Sequence, residues 1–451
     1  MSQALESLMR LSAEAVPIAI PEWILQRRSE ALGIALDQGL PTRQLEEWKN
    51  TSLERLDAMA FARVGPVSTA EPAGGDAPAP TGSGAAELVF VDGHLDSAAS
   101  SLERLPEGVR ALSLATTMRE EPALLEGRLA RLPELKSPTL VALQTGFMDD
   151  GAVIVIDPDT RAAEPIRMRF VSTGEGGDLP SATFPRLLVI AGRQSEARLF
   201  QEFTSAGNAK GLTAFVAELY LAPGARIDAT TLQAESASRI HYTHSHAHLE
   251  GDARFDSTIF TLGRGLVRSE LEVVLGEPGA ETHMRGLFLG REAAHVDHFT
   301  TVDHVEANCT SHEEYRGVLA DRSHGVFRGR VIVRPGAQKT EARQSNPNLL
   351  LDERARINTK PQLEIYADDV KASHGSTIGQ LDAEALFFLR ARGIGKAEAR
   401  RVLTRAFAHG IVDRVADEDL AREIRTRIDI ALAGLEEKPL PPLITAEEDP
   451  S

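Results

Sequence analysis

The amino-acid sequence predicts a mostly β protein with helical segments at both ends. From residue 152 to residue 372, short apolar runs recur between turns rich in Gly, Asp, Asn and Pro, and almost no helical periodicity interrupts them. Both ends of the chain instead carry apolar residues at helical spacing. The 451 residues are 42% hydrophobic but only 5% aromatic, so the core must be mostly aliphatic.

Residues 1–62 are predicted to be helical, in two helices separated by Pro21. Trp48 follows the second helix and is expected to be a packing anchor. Residues 63–86 are rich in Pro, Ala, Gly and Ser with almost no large apolar side chain, which predicts a flexible linker. The first helix is indicated by apolar residues at helical spacing, Leu5, Leu8, Leu11 and Val16.

Residues 87–150 are predicted to form a mixed α/β segment, beginning with a hairpin at 88–95 whose turn is Asp-Gly. Residues 151–376 are predicted to be the β core. Their apolar runs are spaced irregularly, so no clean sequence repeat is visible. A sandwich, a barrel and a β-helix solenoid all fit this pattern. The runs include AVIVI at 152–156, LLVIAG at 187–192, FVAELYLA at 215–222, LEVVL at 271–275 and VFRGRVIV at 326–333.

The β pattern gives way to a helical pattern within residues 360–394. Apolar and polar residues alternate from Leu363 to Asp368, which predicts a half-buried strand. The segment 373–376, Ser-His-Gly-Ser, is predicted to be a turn. Asp368 and Asp369 lie between the strand and the turn. They could bind a hard cation, cap backbone amides or pair with a nearby lysine, and a structural or interface use is favoured.

The C-terminal part is predicted to be helical from 377 to 437. Asp382 is a suitable N-cap for its first helix, and Gly393 is a suitable stop. Two further amphipathic helices are indicated by apolar residues at four-residue spacing. The remaining tail, 438–451, is acidic and Pro-rich and is predicted to be disordered.

Composition excludes several classes of function. The net charge of -17 argues against non-specific nucleic-acid binding, which needs a basic surface. No apolar run is long enough to span a membrane, and the N-terminus lacks the basic region of a signal peptide. The single cysteine, Cys309, cannot form an internal disulfide. A reducing cytoplasm is therefore the expected compartment.

Enzymatic motifs are missing as well. The run Gly393-Ile394-Gly395-Lys396 hints at a phosphate loop, but Ala397 follows where a P-loop needs Ser or Thr. The same region imitates a helix-hairpin-helix motif, although its charges are too balanced for a phosphate-tracking surface. No Ser-His-Asp arrangement, G-x-S-x-G, H-E-x-x-H or C-x-x-C stands out. The chain is therefore not expected to hydrolyse ATP.

Two groups of residues could bind a metal. In a strand, three histidines of HYTHSHAH share one face, which could be a metal site or a polar ladder, and the ladder is favoured. His295 and His298, flanking Asp297, receive the same interpretation. Cys309 is either a small core residue or a transient sulfur or iron contact, and the core role is favoured. The histidine run comprises His241, His244, His246 and His248.

Four segments resemble one protein family. LEIYADDVKASHG, followed by GQLDAEALFFLRARGI, is similar to the SufB/SufD proteins of the Suf iron–sulfur cluster assembly system. LPTRQLEEWKNTSL at 40–53 resembles the N-terminal signature of the SufD branch. PRLLVIAGRQSEA at 185–197 and QKTEARQSNPNLLL at 338–351 also resemble segments of this family. The N-terminal signature and the absence of the SufB cysteine set disfavour the SufB branch.

The resemblance implies a right-handed parallel β-helix core with helical regions as caps. It also implies a non-catalytic scaffold subunit of a SufB–SufC–SufD complex. There, a transient iron–sulfur cluster shared with SufB forms at the SufB–SufD junction, driven by ATP hydrolysis on SufC. Reduced flavin is associated with such complexes, although no flavin motif is visible here. Alone, the chain could pair with itself through the same strand edge.

The resemblance also assigns residues. His374 is implied as a nitrogen ligand or proton donor at the SufB-facing site. Many relatives carry cysteine two positions earlier, where this chain has Ala372. A strand near 363–370 is expected to pair with SufB by β-augmentation. The expected SufB interface is Leu363, Ile365, Ala367, Asp368, Asp369 and His374. The expected SufC-binding set is Leu386, Phe387, Phe388, Leu389, Arg390, Arg392 and Ile394.

A different class of function also fits a β-helix, namely a carbohydrate-active lyase or hydrolase. Such an enzyme needs a solvent-facing groove with acidic or basic catalytic groups and stacking aromatic residues. The chain has only four Tyr and two Trp, and both Trp lie outside the β region. This composition, with no secretion signal, favours the scaffold.

Overall fold

The computed structural model describes residues 2–13, 20–62, 85–131, 138–174 and 179–436. The predicted tail lies outside the described residues, and so does the predicted linker except for its last two residues.

The chain forms nine helices and twenty strands within these ranges. The helices are α1 (Gln3–Ala13), α2 (Glu22–Gln38), α3 (Glu54–Asp57), α4 (Leu114–Glu120), α5 (Pro122–Leu125), α6 (Thr139–Phe147), α7 (Ala383–Ala391), α8 (Lys396–Val412) and α9 (Glu418–Glu436), with a 3-10 turn at Glu46–Trp48. The strands are β1 (Glu87–Val91), β2 (His94–Leu95), β3 (Val109–Ser113), β4 (Gly151–Ile156), β5 (Ile166–Ser172), β6 (Ser181–Thr183), β7 (Arg186–Ala191), β8 (Glu196–Ser205), β9 (Gly211–Leu221), β10 (Arg226–Gln233), β11 (Arg239–Leu249), β12 (Arg254–Thr261), β13 (Leu266–Leu275), β14 (Glu281–Gly290), β15 (His295–His304), β16 (Thr310–Leu319), β17 (His324–Val333), β18 (Thr340–Leu350), β19 (Arg356–Ile365) and β20 (Val370–Gly379).

The strands form two sheets between which the chain alternates. Among the described residues, sheet I has ten strands in the order β2-β1-β5-β8-β10-β12-β14-β16-β18-β20. Sheet II has the order β19-β17-β15-β13-β11-β9-β7-β4-β3, with β6 beside β9. From β9 onward every new strand pairs in parallel with the strand two earlier. The core is a parallel β-solenoid of about seven turns, as the resemblance predicted.

A left-handed residue recurs at the corner that leads from sheet II to sheet I. These corners adopt positive φ once per coil, which Gly, Asp and Asn tolerate best. The apolar runs looked irregular because only some strands carry one: the five runs named above fall on β4, β7, β9, β13 and β17, all in sheet II. The corner residues, in contrast, mark successive coils. They are Gly224, Asp252, Gly279, Asn308 and Lys339, with φ of 72°, 56°, 79°, 61° and 59°.

The interior changes character along the solenoid. Early coils enclose stacked aromatic rings, with Phe170 at 4.8 Å from Phe203 and at 5.0 Å from Phe90, centroid to centroid. A buried polar pair, Glu313 and Gln344 at 4% and 3% exposure, lies toward the last coil. A second buried polar pair, Glu235 and His241, lies beside Phe203.

The terminal helices cover the outer faces of the sheets and not the ends of the solenoid. Leu5 and Leu140 of the N-terminal region pack with Ile240 on sheet II. Ile411 of α8 packs with Phe260 on sheet I. The expectation that the helices cap the coils is wrong, because the outward columns of both sheets are apolar there and bury the amphipathic helices. At the first coil, the antiparallel strands β2 and β3 form the edges.

Residues 43–51, here called the N-terminal strap, cross the outer face of sheet II. Trp48 is 2% exposed, and the Arg268 guanidinium lies 3.9 Å from its ring centroid. Thr51 donates to Asp297 at 2.5 Å. Further along, the Lys360 ammonium on β19 contacts the Glu46 carboxylate at 2.8 Å. Trp48 is thus the packing anchor that the sequence predicted.

The last coil differs from its prediction in one respect. The predicted strand ends at Ile365, and residues 366–369 form the turn. The segment 373–376 was predicted to be a turn, but it lies inside β20 and pairs in register with β18. The error has a physical cause: β20 has a strand on one side only, so its polar side chains carry no apolar alternation although its backbone is hydrogen-bonded as a strand.

Replacing Trp48 with Ala should lower the free energy of unfolding by ~3–5 kcal/mol, because a large buried ring and its cation–π contact are lost together. Trp48→Phe, the matched control, keeps a ring over Arg268 and should lose clearly less. Chemical denaturation of both variants provides the measurement. Equal stability of the two variants would contradict the anchoring role.

Candidate functional site

The last coil is the open end of the solenoid. β19 and β20 are the outermost strands of their sheets, and in the described part of the chain nothing pairs with their outer edges. Large apolar side chains are exposed here, with Ile365 at 40%, Tyr366 at 60% and Ile378 at 52%. An unpaired strand edge with exposed apolar residues is a typical surface for pairing with another chain.

His374 lies on this open coil in an inward column. It pairs in register with Gln344, which pairs with Glu313, which pairs with Met284. Met284 is fully buried in the apolar core, and side chains paired in register in a parallel sheet point to the same face. His374 therefore occupies the inward side of β20, and Ala372 shares that side two residues earlier.

A hydrogen-bonded polar pair lies directly beneath His374. Gln344 Nε2 donates to one carboxylate oxygen of Glu313, and the Thr300 hydroxyl donates to the other. Burial raises the pKa of Glu313 to about 7, and these two hydrogen bonds offset only part of the effect. Gln344 Oε1 is buried without a hydrogen-bond partner. A Cβ at Gly329 would lie 1.9 Å from Gln344 Nε2, so glycine leaves the space this pair occupies.

The predicted SufB-interface residues all lie on the last coil. Leu363 is partly buried against Val331 and Val333, and Ala367 is buried in the turn. Asp368 and Asp369 are exposed in the same turn.

The turn of the last coil is tied to the corner of the coil before it. The Asp369 N–H donates to Gln338 Oε1 at 2.9 Å, and its carbonyl accepts from the Lys339 N–H at 2.6 Å. Both bonds are made by the backbone of Asp369, so they fix the turn without using its carboxylate.

Cys309 lies elsewhere. It is two strands away from His374 across sheet I and four residues back along the strand, roughly 16 Å at ~4.8 Å per strand and ~3.3 Å per residue. Its thiol is buried and donates to the Glu277 carbonyl at 3.3 Å. Burial raises the pKa of the thiol, which disfavours the reactive thiolate. The structure favours the core role.

The histidine-rich strand forms a polar ladder. His244 and His246 contact the carboxylates of Glu270 and Glu272 on the neighbouring strand β13 at 3.4 and 3.2 Å. His241 lies on the opposite, inward face, where its Nδ1 is 2.6 Å from Glu235. No cluster of metal-binding type occurs among the described residues.

The other histidine pair is divided between two faces. The ring of His295 contacts Thr51 of the N-terminal strap, whereas His298 Nε2 contacts Thr261 in the interior at 3.2 Å. Burial lowers the pKa of both imidazoles to about 4, so both are neutral. Neutral, separately hydrogen-bonded rings fit a structural role.

The predicted SufC-binding residues separate into exposed and buried members. Phe387 and Phe388 on α7 are 73% and 57% exposed, whereas Leu386 is 5% exposed and packs inward. The Arg392 guanidinium lies 3.4 Å from the Phe388 ring centroid. The predicted N-cap is confirmed, since Asp382 accepts from the Glu384 N–H at 2.8 Å. Leu386 therefore cannot be a surface anchor in this conformation.

Comparison with known families agrees with this architecture. The SUF system FeS cluster assembly SufBD core domain matches residues 170–407, more than half of the chain. The chain belongs to the SufBD family. The SufBD protein N-terminal region matches residues 82–168. This SufBD protein is therefore an iron–sulfur cluster assembly protein of the Suf system.

Several relatives cover most of this SufBD chain. The iron–sulfur cluster assembly protein SufD of Escherichia coli is 30% identical over 401 residues, 88% of this chain and 91% of that protein. A SufBD family protein of Synechocystis is 29% identical over 434 residues, 93% of this chain and 94% of its own length. SufD of Bacillus subtilis is 24% identical over 333 residues, 73% and 75% of the two chains.

The described helices of this SufBD protein include none that is both long and apolar enough to cross a membrane.

Sequence analysis missed two residues of the site, Glu313 and Gln344. Gln344 lies within a segment, 338–351, that carried the resemblance, but nothing in that segment marks it as inward-facing. The only signal in the sequence was a glutamate and a glutamine at positions where the alternation of polar and apolar residues would place a buried side chain. Their relation to His374 depends on the register between coils, which irregular spacing hides.

Replacing Glu313 with Gln should stabilise the protein above pH 7 by up to ~3 kcal/mol. Burial raises the folded-state pKa from 4.5 to about 7, so ionisation favours the unfolded state. As pH rises from 4.5 to 7, the unmodified protein loses stability because Glu313 ionises, whereas the variant does not. Below pH 4.5 the two proteins should therefore be equally stable. Tm measured against pH tests this.

Glu314→Gln is the matched control, since Glu314 faces outward beside Arg316 at 2.6 Å. It should show no gain at alkaline pH. A Glu313→Gln advantage that did not change with pH would contradict the buried titration.

Proposed function

We propose that this chain is the SufD-type scaffold subunit of a SufB–SufC–SufD complex and does no catalysis itself. The observation that carries the proposal is the open last coil, which presents two unpaired strand edges and His374 at one end of the solenoid. Similarity to SufD proteins over most of the chain supports the same branch. The open coil supports a function that a second chain completes.

The partner at this end would be a SufB-like subunit with an open coil of its own. Pairing along the β20 and β19 edges would satisfy the backbone groups that the last coil leaves free. Ile365, Tyr366 and Ile378 would then be covered. In the absence of that partner, two copies of this chain could pair through the same edges by an isologous contact.

The cargo at the junction would be a nascent iron–sulfur cluster. His374 would contribute an imidazole nitrogen or a proton from this side. Ala372 supplies no thiolate beside it, and Cys309 is buried about two strands away with a raised thiol pKa. Cysteine ligands would therefore come from the SufB-like subunit. Transient holding suits a site with few thiolates.

The ATPase SufC would bind at α7, where Phe387 and Phe388 project from the surface. Aromatic side chains that are exposed in the free chain are suitable anchors for an interface. α8 and α9 pack on the outer face of sheet I through Ile411 and Ile424. Movement of SufC during its ATP cycle would thus be passed to the sheet that ends at His374. ATP itself would bind only to SufC.

Reduced flavin is expected from the resemblance, but the described residues of the last coil offer no evident flavin site. The cavity beside the last coil, about 920 Å³, is lined largely by charged and amide side chains, among them Arg43, Arg322, Arg356 and Asn358. This lining suits an anion and, apart from the imidazole of His324, offers no aromatic surface for a flavin ring.

The carbohydrate-active alternative gains no support. Three aromatic side chains are strongly exposed among the described residues, and they are Tyr366, Phe387 and Phe388. None lies in a groove along the solenoid, where a sugar chain would stack.

His374→Ala should leave folding and complex formation intact but cut cluster formation, because the imidazole faces the junction and supports no fold contact. The measurement is cluster yield on the co-purified complex by absorbance and iron content. His312→Ala is the matched control, a half-exposed histidine on the outer face of the same sheet. Normal yield with His374→Ala would refute the assignment.

Phe387→Ala combined with Phe388→Ala should abolish co-purification of SufC while SufB is retained. The control is Ile430→Ala, which removes an apolar side chain that is 66% exposed on α9. All three proteins are co-expressed, and the tagged chain is purified. Retention of SufC by the double variant would place its docking site elsewhere.

A further inference from the structure

The proposed function leaves the buried pair Glu313 and Gln344 without a role. Both lie in the inward column that ends at His374. A carboxyl and an amide buried at 4% and 3% exposure are costly, and the earlier coils fill the same column with the smaller or apolar side chains of Leu199, Ala229, Ser257 and Met284. Their position beneath the one histidine of the open coil calls for an explanation.

Gln344 carries one hydrogen bond and one free acceptor. Its Nε2 donates to Glu313, one strand back along the column. Its Oε1 is buried with no partner, which is unfavourable. Oxygen and nitrogen of an amide point in different directions from the same carbon, so holding the nitrogen on Glu313 turns the oxygen away from it. The next strand in that direction is β20, ~4.8 Å further, where the paired residue is His374.

The pair is fixed from several sides. Thr300 on β15 donates to the second oxygen of Glu313. Gly329 on β17 leaves the hole that the amide fills, since a Cβ there would lie 1.9 Å from Gln344 Nε2 and 3.0 Å from Glu313 Oε2. Such a fit leaves the amide little freedom to rotate. Its free oxygen is therefore presented to the last coil in one orientation.

We propose that Gln344 positions His374 by accepting an N–H of its imidazole, and that Glu313 holds Gln344 in place. The bond would form when a partner covers the open coil and presses the exposed ring onto the amide. One ring nitrogen is then committed to the interior, so the other carries its lone pair toward the partner. Metal-binding histidines are commonly oriented in this way through their second nitrogen.

This inference rests on the proposed function of His374. Gln344 and Glu313 are positioning residues, because they lie beneath His374 and do not reach the cargo. An oriented imidazole can bind or release iron without first rotating or changing tautomer. The gain is in the rate of cluster formation at the junction, not in the stability of the chain.

The test uses the co-purified complex and measures the initial rate of cluster formation for Gln344→Met. This substitution keeps the length of the side chain but removes the acceptor, and the rate should fall by about 10- to 100-fold, as for other groups that orient a metal ligand. Asn348→Leu is the matched control. Asn348 is also buried on β18 with an unpartnered amide oxygen, but it lies beneath Ile378. Its rate should change little.

A double variant separates positioning from packing. Gln344→Met added to His374→Ala should be no slower than His374→Ala alone, since the amide acts only through the imidazole. Equal losses in Gln344→Met and Asn348→Leu, or a further multiplied loss in the double variant, would overturn the inference. Should Gln344→Met fail to give folded complex, Gln344→Asn withdraws the oxygen by one methylene and carries the same expectation.

The two proposals fail in different ways. If His374→Ala itself assembles clusters at the normal rate, the proposed function is wrong. If His374→Ala is slow while Gln344→Met matches the unmodified complex, the function stands and the positioning role of Gln344 is wrong.

Discussion

The structure depends on parallel, in-register hydrogen bonding between successive coils. Each strand from β9 to β18 satisfies its backbone on the strand two earlier and offers its other edge to the strand two later. A solenoid built this way always has one unsatisfied set of groups at the end of the series. At the first coil the antiparallel strands β2 and β3 form the edges. At the last coil β19 and β20 remain open, and this is where the site lies.

The covering elements leave that open end alone. The N-terminal strap and helices bury the apolar columns of sheet II, and α8 and α9 bury those of sheet I. The strap nevertheless reaches the last coil, where Glu46 contacts Lys360. Both terminal regions thus stiffen the two faces up to the final strands without closing them. A rigid, uncovered edge is the form of surface that a partner can extend with little reordering of its own.

The polar interior near the open end follows from the same register. Stacked Phe170 and Phe203 fill the early coils and gain from burial without needing partners. Glu313 and Gln344 satisfy each other only in part, and the raised pKa of Glu313 and the free amide oxygen of Gln344 record the cost. Proteins retain such costs mainly where they serve a site. Here both lie one or two strands beneath His374.

The sequence by itself determined the composition of the core, the helical ends and, through its motifs, the family, and it made His374 a candidate site residue. These signals are local, since propensity and resemblance need no knowledge of distant residues. Only the tertiary structure placed Gln344 and Glu313 beneath His374, removed Leu386 from the surface and turned 373–376 into a strand. Each of these outcomes depends on which residues become neighbours across coils about thirty residues apart, as Gln344 and His374 are, and hydrogen-bond register sets that, not local pattern.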